Sequence, residues 1–243
     1  MFSARKIKEL PLWAKLLRTL SVLIICFFGI FLLTTQPLKT CYPPTERQVY
    51  PLKLRGHVES LSEQFSPRNF KSIWNLDKCA YYISDHFRQT GAEVSEQTYE
   101  VNGQAYRNVI ATYCAGTGAR IVVGAHYDSC QDTPGADDNA SGIAGLIELA
   151  YLLGQTELTQ HVELVAYTLE EPPYFRTGDM GSARHAYSLR QKNVEIDAMI
   201  CLEMIGYFSD EKGSQQFPSA ILKLFYPDKG NFISVIGSIG DRK

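Results

Sequence analysis

Apolar and polar positions divide the chain into three stretches of different character. From Thr19 to Leu38 no charged residue occurs, and the centre, Leu20 to Leu33, is apolar all round. A helix of about 20 residues is about 30 Å long, the thickness of a bilayer's hydrocarbon core. Residues 19–38 are therefore predicted to form a transmembrane anchor, since a core helix would keep a polar stripe. Residues 39–66 hold Pro43, Pro44 and Pro51 without clear periodicity and are predicted to be an irregular stalk. A single folded body is expected over 67–243.

Within that body the periodicity changes once. Ile73, Leu76, Ala80, Ile83 and Phe87 recur at helical spacing, which predicts a helix across 70–89 with Gly91 at its C-terminal end. Asn102-Gly103 between Val94–Val101 and Ala105–Tyr113 is the signature of a β-hairpin. Apolar strands are then expected at 120–125, 162–168 and 198–202, alternating with helices at 141–153 and 182–191. Strands alternating with helices imply an α/β fold: a mostly parallel sheet with right-handed crossovers, flanked by helices.

Charge separates the two ends of the molecule. The chain has 24 Lys and Arg against 26 Asp and Glu, a net charge of −2. Residues 1–18 carry five of the cations (Arg5, Lys6, Lys8, Lys15, Arg18) and one anion, Glu9. Cations preceding the apolar run place 1–18 in the cytoplasm and the body on the far side, extracellular or periplasmic. No small-residue cleavage site follows the run, which favours an anchor over a cleaved signal. The acidic remainder argues against binding a phosphate backbone, so nucleic acid is not expected as a partner. Of six cysteines, Cys26 lies in the anchor; Cys41, Cys79, Cys114, Cys130 and Cys201 are an odd set with no legible disulfide pairing.

The candidate chemistry stands where the predicted strands end, the place where open α/β sheets bind ligands. The first strand ends in Gly124-Ala125-His126-Tyr127-Asp128-Ser129, the second in Thr168-Leu169-Glu170-Glu171 and the third in Cys201-Leu202-Glu203. Between the first two, Pro134-Gly135-Ala136-Asp137-Asp138-Asn139-Ala140-Ser141-Gly142 leads into a helix. One imidazole among several carboxylates is costly unless a cation or protons neutralise it. The donor set suits zinc, and carboxylate bridging suits a metal pair. Glu170 and Glu171 can share one site only if the strand breaks there, and Pro172-Pro173 is expected to supply the break. Cys130, four residues after His126, is a weaker candidate ligand, and His57, His86, His161 and His185 lack a strand-end context.

These four motifs in this order resemble the M28 family of zinc aminopeptidases, over about 108 to the end. The resemblance implies a dinuclear zinc site and peptide substrates. By position, His126 and Glu203 would hold one zinc, Glu171 the other, and Asp138 would bridge them. Glu203 stands where the family usually has Asp. Glu170 would be the general base, and Asp128 would accept the second N–H of His126. The family's last ligand, a His near the domain end, has no counterpart before Lys243. The chain therefore reads as a C-terminally truncated copy, with the His126–Asp138–Glu203 site complete and the other one ligand short. Two alternatives share the scaffold: a glutaminyl-cyclase-like transferase needing one zinc, and an inactive binding ectodomain.

Overall fold

A computed structural model describes residues 11–35, 49–113, 118–217, 222–223 and 226–237. The chain divides into two compact units, Met1–Glu46 and Arg47–Lys243.

In the first unit one helix, α1, runs Leu12–Thr35. Its segment Leu12–Leu32 is long and apolar enough to cross a membrane, a property it shares with signal sequences. The helix starts earlier than the sequence predicts, at Pro11, whose carbonyl accepts from Ala14 and Lys15. Lys15 and Arg18 thus stand on its first turns, where long cationic side chains can reach a membrane surface. Residues 36–38, expected to complete the anchor, lie outside the described residues.

The second unit opens with a helix where a stalk is expected. α2 covers Pro51–Glu59 and continues as a wider helical turn over Ser60–Gln64. Pro51 does not break this helix, because at the first helical position its missing N–H would have no partner anyway. Leu61 and His57 are buried, so the segment belongs to the body. α3 (Ile73–Arg88) buries Leu76, Ala80, Ile83 and Phe87, as the periodicity predicts.

β1 (Glu93–Val101) and β2 (Gln104–Tyr113) form the expected hairpin, with Asn102 at φ 52° and Gly103 at φ 77°. β3 (Arg120–His126), α4 (Gly142–Leu153), β4 (His161–Tyr167), α5 (Gly181–Gln191) and β5 (Ile196–Cys201) follow. The five strands form one sheet in the order β1-β2-β4-β3-β5. β3 pairs in parallel with β4 and β5, while β2 pairs antiparallel with both β1 and β4. The hairpin therefore joins the parallel strands, and the sheet is mixed.

Alternation along the strands sorts the two faces. Val123, Ala125, Leu164, Ala166, Val109 and Ala111 face the main core, against Ile143, Leu146 and Ile147 of α4 and the buried stripe of α3. Val122, Val165 and Tyr167 face the other way, and Val122 and Tyr167 share an apolar cleft with His185 and Leu189 of α5. β5 is one of the two sheet edges, opposite β1, and exposes Met199 and Ile200. β3, β4 and β5 all point their carboxyl ends to the same side, and the ionisable cluster gathers there.

Candidate active site

His126 closes β3 and is 3% exposed. Its Nδ1 lies 3.2 Å from the Asp128 carbonyl and 3.3 Å from Asp128 Oδ1. The far nitrogen, Nε2, faces three carboxylates: Asp138 Oδ1 at 3.1 Å, Glu203 Oε1 at 3.5 Å and Glu170 Oε2 at 3.9 Å. Burial alone would lower the pKa of this imidazole, but the carboxylates of Asp128, Asp138 and Glu203 around it outweigh that and hold it well above the ordinary value.

The second strand delivers two residues to the same place. β4 ends at Tyr167, and the chain turns at Leu169, which has φ 60°. The break thus precedes the glutamate pair rather than following at Pro172-Pro173. Asp128, 1% exposed, fixes this turn: its Oδ1 accepts from Glu170 N at 3.2 Å and its Oδ2 from Glu171 N at 3.0 Å. Burial, with the negative charge of Asp128, Glu203 and Glu171, pushes Glu170 up to about 7, although His126 pulls the other way. Burial also raises Glu171, with Asp138 as its strongest negative neighbour. Asp138 is held low, first by the His126 imidazole beside it.

Asp138 comes from the turn between β3 and α4. Gly135 enters that turn at φ 58°, and a Cβ there would lie 2.4 Å from Asp138 O. Arg68, which no sequence motif marks, holds the approach. Its guanidinium is fully buried and donates to the carbonyls of Tyr127, Leu61, Pro134 and Gly135. It thereby ties the end of β3 to the Asp138 turn.

His126, Asp138 and Glu171 offer ligand atoms all within 4.8 Å of one another. Two buried atoms of this group, His126 Nε2 and Glu171 Oε1, have no hydrogen-bond partner. A buried nitrogen and oxygen left unpaired beside several carboxylates are what a cation would satisfy, and the N/O donor set suits zinc. Cys130 stands apart: it is a free thiol, raised by burial and by Glu171 and Asp138, which disfavours the thiolate a metal needs. Cys26, Cys79 and Cys201 are also free, and Cys41 and Cys114 lie outside the described residues. His57 and His185 are helical but buried, not at the surface: His57 Nε2 lies 3.2 Å from Glu148, and His185 Nε2 2.8 Å from Glu163.

Residues 108–226, from mid-β2 to beyond β5, match the family model Peptidase family M28. The Escherichia coli protein YfbL is 42% identical over 228 residues, which cover 90% of this chain and 70% of that one. The chain belongs to peptidase family M28. Leucine aminopeptidase 1 of Ajellomyces capsulatus is 25% identical, matching 85% of this chain and 62% of its own length. Among solved structures, Porphyromonas gingivalis glutaminyl cyclase aligns with TM-score 0.55 at 26% identity, covering 65% of this chain and 59% of that one. A leucine aminopeptidase precursor from Bacteroides thetaiotaomicron aligns with TM-score 0.57 at 22% identity, covering 69% and 66%, a likeness of fold. The chain thus spans about six tenths of several of the proteins it matches.

Proposed function

We propose that this M28 chain carries the centre of a zinc aminopeptidase that hydrolyses the N-terminal peptide bond of peptides. The carrying observation is His126 Nε2 at the middle of Asp138, Glu203 and Glu170, with Glu171 Oε1 unpaired beside them. His126 and Glu203 would hold one zinc, Glu171 a second, and Asp138 both. Bound there, zinc would polarise the scissile carbonyl and make water more acidic.

The chain's own residues supply the rest. Glu170 takes a proton from the attacking water onto a carboxylate oxygen and delivers it to the leaving amine nitrogen. Its carboxylate lies beside His126 and the carboxylates that would hold the metal, within reach of a water there. Asp128 accepts from His126 Nδ1, which fixes the imidazole with Nε2 free toward the metal. Its bonds to the backbone of Glu170 and Glu171 keep base and ligand in register with His126. The family and the leucine aminopeptidase relatives support peptides as substrates and the N-terminus as the point of cleavage. The apolar α1 supports a membrane-anchored protein, and the cations of residues 1–18 support a body outside the cytoplasm.

Glu170→Gln keeps the size of the side chain and removes the base. It is expected to lower kcat on an aminoacyl-anilide at least 100-fold with zinc content unchanged. A loss within about tenfold would overturn the assignment. The glutaminyl cyclase neighbour supports one rival, separated by product mass from an N-terminal Gln peptide: cyclisation loses ammonia, whereas hydrolysis releases free glutamine.

A further inference from the structure

Two motifs that the sequence presents separately, the Asp138 turn and the Leu202–Gly206 segment, are halves of one structure. After Leu202 N donates to Gly124 O, β5 leaves the sheet, and Met204 at φ 48° turns the chain. From there the turn between β3 and α4 takes up the segment's backbone with three side chains. Asn139 Nδ2 donates to Leu202 O at 2.8 Å, and Asn139 Oδ1 accepts from Met204 N at 3.3 Å. Ser141 Oγ accepts from Ile205 N at 3.0 Å, and Asp137 Oδ1 from Gly206 N at 2.8 Å. The fit is close at both glycines. A Cβ on Gly142 would lie 2.3 Å from Asn139 Oδ1, and one on Gly206 would lie 2.8 Å from Ser141 Cβ.

Asn139 is the centre of this clamp. It is fully buried, and its Oδ1 also accepts from Gly142 N, the first N–H of α4, at 3.0 Å. Its Nδ2 makes a second donation, to Glu203 Oε2 at 3.2 Å. The two oxygens of Glu203 are thereby distinguished: Oε2 is tied to Asn139, while Oε1 faces His126 Nε2 at 3.5 Å. Glu203 is otherwise half-exposed, with 45% of its side chain open to solvent.

We infer that Asn139 is a positioning residue for the metal on the His126 side, acting through Glu203: it holds one carboxylate oxygen and presents the other to the ion. This rests on the metallopeptidase reading. An outer hydrogen bond to a ligand commonly contributes 10–100-fold in metal affinity. The test is a double-mutant cycle on zinc affinity, measured by chelator competition with the full chain in detergent. Wild type, Asn139→Ala, Glu203→Ala and the double variant are compared, with circular dichroism as the check on folding. Asn139→Asp, which keeps Oδ1 and replaces the donor with an oxygen, is run in parallel and carries the cycle where the Ala variant does not fold.

Asn139→Ala is expected to weaken zinc binding about 10–100-fold, and to weaken it no further once Glu203 is gone. The d–d absorption of the cobalt(II)-loaded chain is expected to change in the Asn139 variants as it does in Glu203→Ala. Losses that multiply in the double variant, or an unchanged affinity in Asn139→Ala and Asn139→Asp, overturn this inference and leave the metallopeptidase reading standing. A wild-type chain that takes up no zinc overturns both.

Discussion

Replacing Arg68 with Met tests whether one buried cation holds the approach to the site. The Arg68 side chain is fully buried, and among the described residues no carboxylate lies within salt-bridge distance. Its donors go to four backbone carbonyls, Tyr127 O at 2.9 Å, Leu61 O at 2.5 Å, Pro134 O at 2.7 Å and Gly135 O at 3.0 Å. Charge-assisted hydrogen bonds contribute about 1.5–3 kcal/mol each, so four bonds set a ceiling of about 6–12 kcal/mol. Removing the guanidinium also removes its desolvation cost, and Met keeps most of the apolar stem. Those offsets bring the expected loss to about 3–5 kcal/mol, the range for breaking a buried charged network. For a body of this size that is a fall in Tm of about 6–20 °C. Thermal unfolding of the full chain, followed by circular dichroism, reads it directly. Arg107→Met is the control. Arg107 is partly exposed, pairs with Asp77 and Glu96, and should cost no more than about 1 kcal/mol. A shift for Arg68→Met no larger than for Arg107→Met would refute the reasoning, because the four carbonyls would then be satisfied without the guanidinium.

Two further outcomes follow from buried carboxylates. Asp128→Asn would set an amide NH2 against at least one of the three N–H groups that now meet the carboxylate; zinc affinity or kcat should fall about 10–100-fold, and values within threefold of wild type would remove Asp128 from the mechanism. Glu163, 3% exposed, would be raised by burial, but hydrogen bonds from His185 and Arg120 reverse this and hold its pKa below the ordinary 4.5. The unfolded chain therefore binds the proton more tightly, so this stabilisation is present above about pH 4.5 and is lost as pH falls through the lower folded value. Glu163→Gln should flatten that acid-side loss in urea unfolding while costing about 3–5 kcal/mol at pH 7; equal acid slopes in the two proteins would count against the pairing.

His126, Glu170, Glu171 and Glu203 are legible in the sequence because each stands at or just beyond the carboxyl end of a short apolar strand, and strand ends are set by local composition. His126 follows Arg120–Ala125, and the glutamate pair follows His161–Tyr167. The hairpin is legible for the same reason: Asn102-Gly103 fixes its turn locally. What escapes depends on partners distant in sequence. Arg68 bonds to carbonyls at 61, 127, 134 and 135, and a carbonyl belongs to every residue type, so no pattern announces it. α2 escapes because Gly56 weakens a helix locally and the segment lacks an apolar periodicity, and only packing of Leu61 and His57 on the body offsets this.

The buried histidines do carry a signal, in their partners. Glu148 interrupts the apolar run of α4, and Glu163 interrupts β4 between Val162 and Leu164. A carboxylate inside a buried run must be paired or protonated, so each of these by its position alone implies a cation or donor packed on its element. His57 and His185 fill those places. The same logic separates them from His126. Glu148 and Glu163 each lie within 3.2 Å of a histidine nitrogen, and Glu163 also meets Arg120, so these carboxylates have partners within the chain. Around His126 four carboxylates share one imidazole. Of these three histidine–carboxylate groups, that one alone sets four carboxylates on a single imidazole, and this crowding of negative charge is what marks it as the candidate place for a metal ion.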